Sequence, residues 1–204
     1  MRTKYIDKAK ALNIASKMPQ ESRGVWVLMC ETGVRISDAL EAKREDFDEK
    51  CFFHYTAHKT GKKGRAKVST EFYREFVKPF KKGEYIFPSK SIKRAGLPIT
   101  RQTVFLHIKR ACDFCGYNSA GIAPHSARKA FAVDLFREQG LGATMSALQH
   151  RDASTTFLYA MSDDPLTEFN KRVSEVEKLL ESVEEKLDYL FDKLFGNDRY
   201  TIKK

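Results

Sequence analysis

A helix is predicted to begin with the segment Pro124-His125-Ser126-Ala127-Arg128-Lys129-Ala130-Phe131-Ala132. Proline is favoured in the first turn of a helix, because the N–H that it lacks would have no partner there. His125 and Arg128 are three residues apart, so their side chains lie on one face of the helix. The segment therefore places an imidazole beside a guanidinium at an exposed helix entrance.

Three other segments carry polar side chains that complement this pair. They are TGVRISD at residues 32–38, HKTG at residues 58–61 and LQH at residues 148–150, and Tyr159 follows nine residues after His150. Two arginines, two histidines and a lysine are what a site needs to hold one phosphodiester and activate it. A tyrosine beside them can attack the bound phosphate. The set predicts DNA strand cleavage through a covalent phosphotyrosine.

Arg35 and Arg128 are the candidates for binding the nonbridging oxygens of the phosphate. A pentacovalent transition state carries more negative charge than the diester, so cationic donors stabilise it more than they stabilise the substrate. Arginine keeps its charge and presents a planar fork of donors. A free tyrosine has a pKa of about 10, so Tyr159 needs a proton acceptor, and His125 is the candidate.

Lys59 and His150 complete the predicted catalytic set. The 5′-oxygen that leaves needs a proton, and Lys59, on a predicted hairpin turn, is the candidate donor. His150 is expected to hydrogen-bond a nonbridging oxygen or to steer Tyr159. No cluster of carboxylates suited to Mg²⁺ accompanies these residues, so we expect metal-free chemistry and no cofactor.

The four segments resemble the motifs of the tyrosine recombinase (phage integrase) family. TGVRISDAL at residues 32–40 resembles the first arginine box, HKTG the β-hairpin lysine, PHSARKAFA the second box and LQHRDASTTFLY at residues 148–159 the last. The resemblance covers about residues 18–161 and implies the catalytic-domain fold of that family. It also implies that Asp38 braces Arg35. The family often has glycine where this chain has Gln149.

The pattern along the chain predicts a mainly α fold with a small antiparallel β-sheet. Apolar spacing predicts helices at residues 5–18, 21–32, 71–80, 100–115, 124–138, 143–149 and 152–161. Gly33 and Gly140 are expected to end helices. Ser37 is expected to cap a short helix at residues 38–44. Strands are predicted at residues 51–56 and 66–69, with a turn at residues 60–64 between them.

Positive charge is concentrated in the segment that holds the polar set. Of 37 lysines and arginines, 29 lie before Leu166, against 18 of 27 acidic residues. Such an excess is typical of a nucleic-acid binder, and a basic soluble surface is the alternative. Double-stranded DNA is the expected partner, and the expected DNA-contacting residues are Lys62, Lys63, Arg65, Lys129 and Arg151.

The C-terminal segment has a heptad repeat. From Leu166 to Leu194 apolar residues alternate at spacings of three and four, which predicts a coiled coil rather than a helix packed on its own domain. The chain is therefore divided into a catalytic domain, residues 1–164, and an oligomerising helix, residues 165–204. Arg172 and Glu177 suit a parallel dimer, whereas Leu179 and Phe191 leave room for a trimer. We expect a homo-oligomer that dimerises through this helix and forms a tetramer on paired DNA sites.

Composition also bounds the cellular setting. The polar N-terminus has no signal peptide, and no apolar run approaches the length of a membrane span. Four scattered cysteines do not form a disulfide framework, and Cys112 and Cys115 are half of a zinc site or reduced thiols. We expect no membrane partner and a cytoplasmic, nucleoid-associated protein of a prokaryotic host, encoded by a virus or mobile element.

A site-specific DNA recombinase is the favoured interpretation, with two alternatives. A type IB topoisomerase uses a similar residue set as a monomer, and the heptad repeat argues against it. A non-catalytic DNA-binding accessory protein is disfavoured because all six candidate residues are intact. Only about 20 residues precede the matched region, so the N-terminal clamp domain of most family members is not evident.

Overall fold

The structure, a computed structural model, describes residues 3–149, 179–187, 189, 190 and 193. The chain divides into two compact units, Met1–Ala160 and Met161–Lys204. The described part of the first unit is mainly helical and carries a two-stranded antiparallel sheet, so the predicted fold class is confirmed. The described residues of the second unit are helical. Among the described helices, none is long and apolar enough to cross a membrane.

The first two helices, α1 (Lys8–Ser16) and α2 (Gln20–Thr32), pack against each other through Trp26. Asp7 caps α1 by accepting a hydrogen bond from the Lys10 N–H, 2.7 Å away, so this helix begins later than predicted. Trp26 is fully buried, and its indole N–H donates to the Ala11 carbonyl at 3.0 Å. The core therefore accommodates this ring without an unpaired donor.

Gly33 ends α2, as the sequence predicted. Its backbone is left-handed, with φ 66°, and its N–H donates to the Met29 carbonyl at 2.9 Å. Glycine adopts this conformation without the penalty that a Cβ imposes. Space is a second reason for glycine, because the Phe131 ring occupies the place where a Cβ would stand. The first arginine segment thereby approaches the helix that carries Arg128.

The short helix that follows differs from the prediction. It is α3 (Ile36–Leu40), and Arg35 rather than Ser37 stands at its N-cap position. Arg35 is the last residue with an extended backbone, and the helix begins at the next residue, Ile36, one residue before Ser37. The Ser37 hydroxyl instead donates to Asp38 Oδ1 at 3.3 Å. A 3₁₀ turn, Arg44–Asp46, follows α3.

The small sheet is a hairpin of β1 (Phe52–Thr56) and β2 (Lys63–Lys67). The pairing places Phe53 opposite Ala66 and Tyr55 opposite Gly64. Phe53 is buried and stacks on Phe47 with ring centroids 4.6 Å apart. The second strand begins three residues earlier than predicted, because the pairing continues to the end of β1 and the Ala57 N–H also donates to the Lys62 carbonyl at 2.8 Å.

The chain after the hairpin is less regular than its apolar spacing predicted. In place of one helix at residues 71–80, α4 (Thr70–Phe72) runs into a π-helical turn, Tyr73–Val77. In that turn the Lys78 N–H donates to the Tyr73 carbonyl at 2.9 Å. Phe72 and Phe76 are both buried, with ring centroids 5.1 Å apart. A 3₁₀ turn, Ile92–Arg94, lies in the long connection that follows.

The last two described helices of the first unit are α5 (Arg101–Phe114) and α6 (Pro124–Leu148). Thr100 caps α5 by accepting from the Thr103 N–H at 3.1 Å, which agrees with the predicted start. Gly140 breaks α6 with φ 79°, so the predicted end at this glycine and the helix after it are both confirmed. The helix predicted at residues 152–161 lies outside the described residues.

Candidate active site

Arg128 joins the segments that carry the candidate residues. It lies in the first turns of α6 and is only 4% exposed. One guanidinium nitrogen donates to the Gly33 carbonyl, and the other terminal nitrogen donates to the Leu148 carbonyl at 2.8 Å. Because a buried charge is costly unless hydrogen bonds compensate it, these carbonyls stabilise Arg128 where it stands. The first arginine segment, the start of α6 and its end therefore meet at one side chain.

Arg35 is held differently. It is partly exposed, at the point where the chain enters α3, and no hydrogen bond joins its guanidinium to another described residue. Its charge lies close to His125 and Tyr55: it adds to the lowering that burial causes in the pKa of His125, and it opposes the rise that burial causes in the pKa of Tyr55. Arg35 is thus a partly exposed cation beside the buried cation of Arg128.

Asp38 does not brace Arg35 in the way that the family resemblance implied. Its carboxylate is directed at the hairpin loop instead, and Oδ1 accepts a hydrogen bond from the His58 N–H at 2.9 Å. The side chain is buried, and Oδ2 has no partner among the described residues. Asp38 is therefore a supporting residue, but what it holds in place is the loop that carries Lys59.

The hairpin loop presents most of the predicted DNA-contacting side chains. Lys59 and Lys62 in the loop, and Lys63 and Arg65 in β2, are all exposed. Arg65 lies over the Phe52 ring, with its guanidinium carbon 3.6 Å from the ring centroid. Planar stacking of this kind orients a guanidinium without removing it from solvent. The hairpin is thus a basic projection beside the two arginines.

Lys129 is a correction to the predicted DNA-contacting set. It is 3% exposed, and its Nζ donates to the Thr3 carbonyl at 2.6 Å. Lys129 follows Arg128 on the buried side of α6, and its ammonium group lies under the N-terminal segment. The side chain fastens that segment to α6 and is not available to a DNA phosphate.

His125 lies partly buried in the first turn of α6. Burial, together with the positive charges of Arg128, Lys129, Arg35 and Arg101, lowers its pKa from the usual value of 6.5 to about 4. Its imidazole is therefore neutral at pH 7. An unprotonated imidazole is what a proton acceptor requires, but the lowered pKa makes it a weaker base than a free histidine, and its role toward Tyr159 stays a prediction.

His150, Arg151 and Tyr159 lie outside the described residues, so their predicted roles stay predictions. The described site also contains two residues to which the sequence assigned no role. Tyr55 lies within electrostatic reach of Arg128, Asp38 and Arg35, and burial raises its pKa. Gln149, at the end of α6, accepts a hydrogen bond from the Thr60 hydroxyl at 3.2 Å. The signal for Tyr55 was the alternation of β1, which puts its side chain on the same face as that of Phe53. The signal for Gln149 was the absence of glycine at that position.

The lowered pKa of His125 predicts a pH dependence of folding stability. Between about pH 6.5 and pH 4 the unfolded chain binds a proton at His125 that the folded chain does not, so the free energy of unfolding falls as the pH is lowered through this window. His125→Gln removes this titration. We expect urea unfolding at pH 7 and pH 5 to show a smaller loss of stability in His125→Gln than in the wild type, since all other groups titrate in both. An equal loss in the two proteins would contradict the lowered pKa.

Comparison with known proteins places these features in a family. Residues 4–165 match the model of the phage integrase family. The protein named "Putative integrase/recombinase y4eF" of Sinorhizobium fredii is 31% identical over 135 residues, which cover 62% of this chain and 51% of that protein. Tyrosine recombinase XerH of Helicobacter pylori is 23% identical over 168 residues, which cover 78% of this chain and 46% of XerH. The chain thus spans about half the length of these relatives.

Solved structures of the same kind share the fold. XerH bound to a palindromic difH substrate, in a post-cleavage complex, superposes with a TM-score of 0.65 at 18% identity, covering 86% of this chain and 54% of that one. The XerA recombinase gives 0.67 at 18% identity, covering 84% and 65%. A λ integrase dimer (residues 75–356) bound to a COC′ core site gives 0.65 at 21% identity, covering 78% and 60%. With the family match extending over most of the chain, this protein belongs to the phage integrase family, the tyrosine recombinases.

Proposed function

We propose that this chain is a site-specific DNA recombinase that cleaves and rejoins DNA through a covalent 3′-phosphotyrosine at Tyr159, without a metal ion. The observation that carries the proposal is the Arg128 junction, in which one guanidinium bonds to the carbonyls of Gly33 and Leu148. This junction gathers Arg35, His125 and Arg128 around one place, and His150 and Tyr159 follow it in the sequence. Family membership supports the same reaction class.

Arg35 and Arg128 supply the positive charge that the transition state needs. Arg128 is buried and rigidly held, and a charge fixed in a site of low dielectric acts more strongly than one in water. Arg35 is partly exposed and lacks a hydrogen bond to another described residue, so it is able to turn toward a bound phosphate. Arg128 thus supplies a fixed positive charge, and Arg35 supplies a second positive charge that moves onto the bound phosphate.

Two bond changes and two proton transfers make up the cleavage step. The Tyr159 oxygen attacks phosphorus, and the neutral imidazole of His125 takes the phenolic proton. The bond from phosphorus to the 5′-oxygen breaks, and Lys59 gives that oxygen a proton. His150 donates to a nonbridging oxygen. Rejoining is the reverse, with a 5′-hydroxyl attacking the phosphotyrosine, so the free energy of the broken bond is kept for the new one.

Double-stranded DNA is the proposed substrate. The exposed cations of the hairpin, Lys59, Lys62, Lys63 and Arg65, form the basic projection next to the arginines. Contacts of this kind bind the phosphate backbone and fix the register of the protein on the duplex. Arg151 is proposed to extend the same surface. Solved relatives bound to DNA, including XerH and λ integrase, support DNA as the partner.

The covalent step is tested with a suicide duplex, whose nick beside the cleavage site lets the 5′-hydroxyl fragment diffuse away. We expect wild-type protein to accumulate a covalent adduct in the presence of EDTA, with the modified peptide containing Tyr159. Tyr159→Phe keeps the ring but removes the nucleophile, so it should form no adduct while still binding DNA.

Tyr117→Phe is the matched control. Its hydroxyl accepts a hydrogen bond from Asn13 at 2.8 Å, between α1 and the end of α5, and it has no part in the proposed reaction. Adduct should therefore form at the wild-type rate. Adduct that persists in Tyr159→Phe, or that forms only when Mg²⁺ is added, would refute the proposed mechanism.

We also propose that the heptad segment, residues 165–204, brings protomers together as a parallel pair. The described part of this helix supports the proposal. Leu180, Val183, Leu187 and Leu190, which occupy successive a and d positions, are 57%, 51%, 59% and 49% exposed. A repeat of seven residues keeps these side chains on one seam when two helices supercoil. A seam this short associates modestly, and DNA raises its local concentration.

Replacement of Val176 and Val183 by aspartate puts a carboxylate at two successive d positions of the seam. We expect this double variant to sediment as a monomer at concentrations where the wild type self-associates, and to retain cleavage of single sites while strand exchange between two sites falls. Ser182→Asp adds a carboxylate outside the a and d positions and should associate like the wild type. A wild type that is monomeric both in solution and on DNA would disprove the coiled coil.

A further inference from the structure

The loop between β1 and β2 is fastened on both sides of Lys59. Just before Lys59, the His58 N–H donates to Asp38 Oδ1 at 2.9 Å. Just after it, the Thr60 hydroxyl donates to Gln149 Oε1 at 3.2 Å. We propose that Gln149 is a positioning residue for Lys59, because its hydrogen bond to Thr60 (hereafter the tether) sets where the ammonium group stands. The inference rests on the proposed function, since it assigns Gln149 a part in the same cleavage step.

The left-handed backbone of Gln149 favours glycine, so the presence of glutamine at this position calls for an explanation from its side chain. Gln149 has φ 53° and ψ 38°, and it is one of two non-glycine residues with positive φ in the described part of the chain. Its N–H closes α6 by donating to the carbonyls of Met145 and Ser146, a bond that any residue makes. Glycine adopts this left-handed conformation at lower cost. Only a longer polar side chain, however, is able to reach Thr60.

The tether links the loop that carries Lys59 to the same stretch of backbone that Arg128 binds. Gln149 follows Leu148, whose carbonyl accepts the 2.8 Å hydrogen bond from Arg128. The loop itself is compact, because the Ala57 carbonyl accepts from the N–H groups of both Thr60 and Gly61, at 3.1 and 2.8 Å. A restraint at Thr60 therefore restrains Lys59 as well, and the proton donor and the buried cation keep a fixed separation.

Proton delivery is the step that depends on this separation. Lys59 transfers a proton from Nζ to the 5′-oxygen while the bond from that oxygen to phosphorus breaks, so the donor has to stand within hydrogen-bond reach at that moment. A misplacement of about 1 Å lowers a rate by roughly two orders of magnitude. Lys59 is exposed and its stem is flexible. Without the tether it spends less time at the leaving oxygen.

The experiment compares adduct formation on two suicide duplexes, one with the natural 5′-bridging oxygen and one with a 5′-bridging sulfur. Sulfur leaves without a proton, so the second duplex reports every part of the reaction except delivery by Lys59. Gln149→Gly suits the backbone and removes the tether. We expect it to lower the rate about tenfold or more on the oxygen duplex and to leave the rate on the sulfur duplex unchanged. Lys59→Ala should show the same pattern with a larger loss.

Two matched pairs separate the tether from other effects. Gln149→Asn keeps the amide but is one methylene shorter, and asparagine tolerates the left-handed conformation, so it should behave like Gln149→Gly. Thr60→Val loses the hydroxyl at constant shape and should match both, and Thr60→Ser should recover the rate that Thr60→Val loses. The double variant Gln149→Gly with Thr60→Val should be no slower than either single variant, since the two changes break one hydrogen bond.

An unchanged rate of Gln149→Gly on the oxygen duplex would overturn the inference, and so would an equal loss on both duplexes. Hydrogen exchange at the Thr60 and Gly61 amides gives a readout that needs no activity, and it should be faster in Gln149→Gly than in the wild type. A wild type that forms no adduct on either duplex defeats the proposed function itself. If Gln149→Gly is slower on the oxygen duplex and equally slow on the sulfur duplex, while the wild type forms adduct, only the role of Gln149 is refuted.

Discussion

The hydrogen bonds from Arg128 to the carbonyls of Gly33 and Leu148 are the interaction on which the rest of the site depends. A buried guanidinium is tolerated only where its donors find partners, so this side chain requires the end of α2 and the end of α6 to stand on either side of it. Glycine at position 33 makes the approach possible, because Phe131 fills the space of a Cβ. The same requirement that stabilises the fold therefore brings the arginine segments together.

The proposed chemistry depends on the groups that surround this junction, His125 and the hairpin loop. Burial, and after it the charge of Arg128, lowers the pKa of His125, so the imidazole stays neutral beside two positive charges. Asp38 holds the hairpin loop at His58, and Gln149 holds it at Thr60. The proposed acid, Lys59, and the proposed base, His125, are thus attached to the same backbone framework by different means. His125 stands in a helix, and Lys59 stands in a loop that two hydrogen bonds restrain.

The sequence predicted the helices at residues 21–32 and 100–115 well, because glycine and threonine stand at their ends and apolar spacing is regular between them. It also predicted which segments meet, through the family resemblance. It failed where tertiary contacts decide. Asp38 turns to the hairpin loop, and Lys129 is buried under Thr3. No local pattern distinguishes an exposed lysine from one whose ammonium group reaches a backbone carbonyl more than a hundred residues away.

We propose that Arg128 both holds the fold together and supplies charge to the reaction, whereas Arg35 serves the reaction alone. The most direct test is the free energy of unfolding of Arg128→Lys and Arg35→Lys, measured in urea alongside cleavage of a suicide duplex. Lysine keeps the charge but is unable to bridge two carbonyls. We expect both variants to lose cleavage, Arg128→Lys to lose about 2 kcal/mol or more of stability, and Arg35→Lys to be as stable as the wild type. Equal stability of the two variants would contradict the structural role of Arg128.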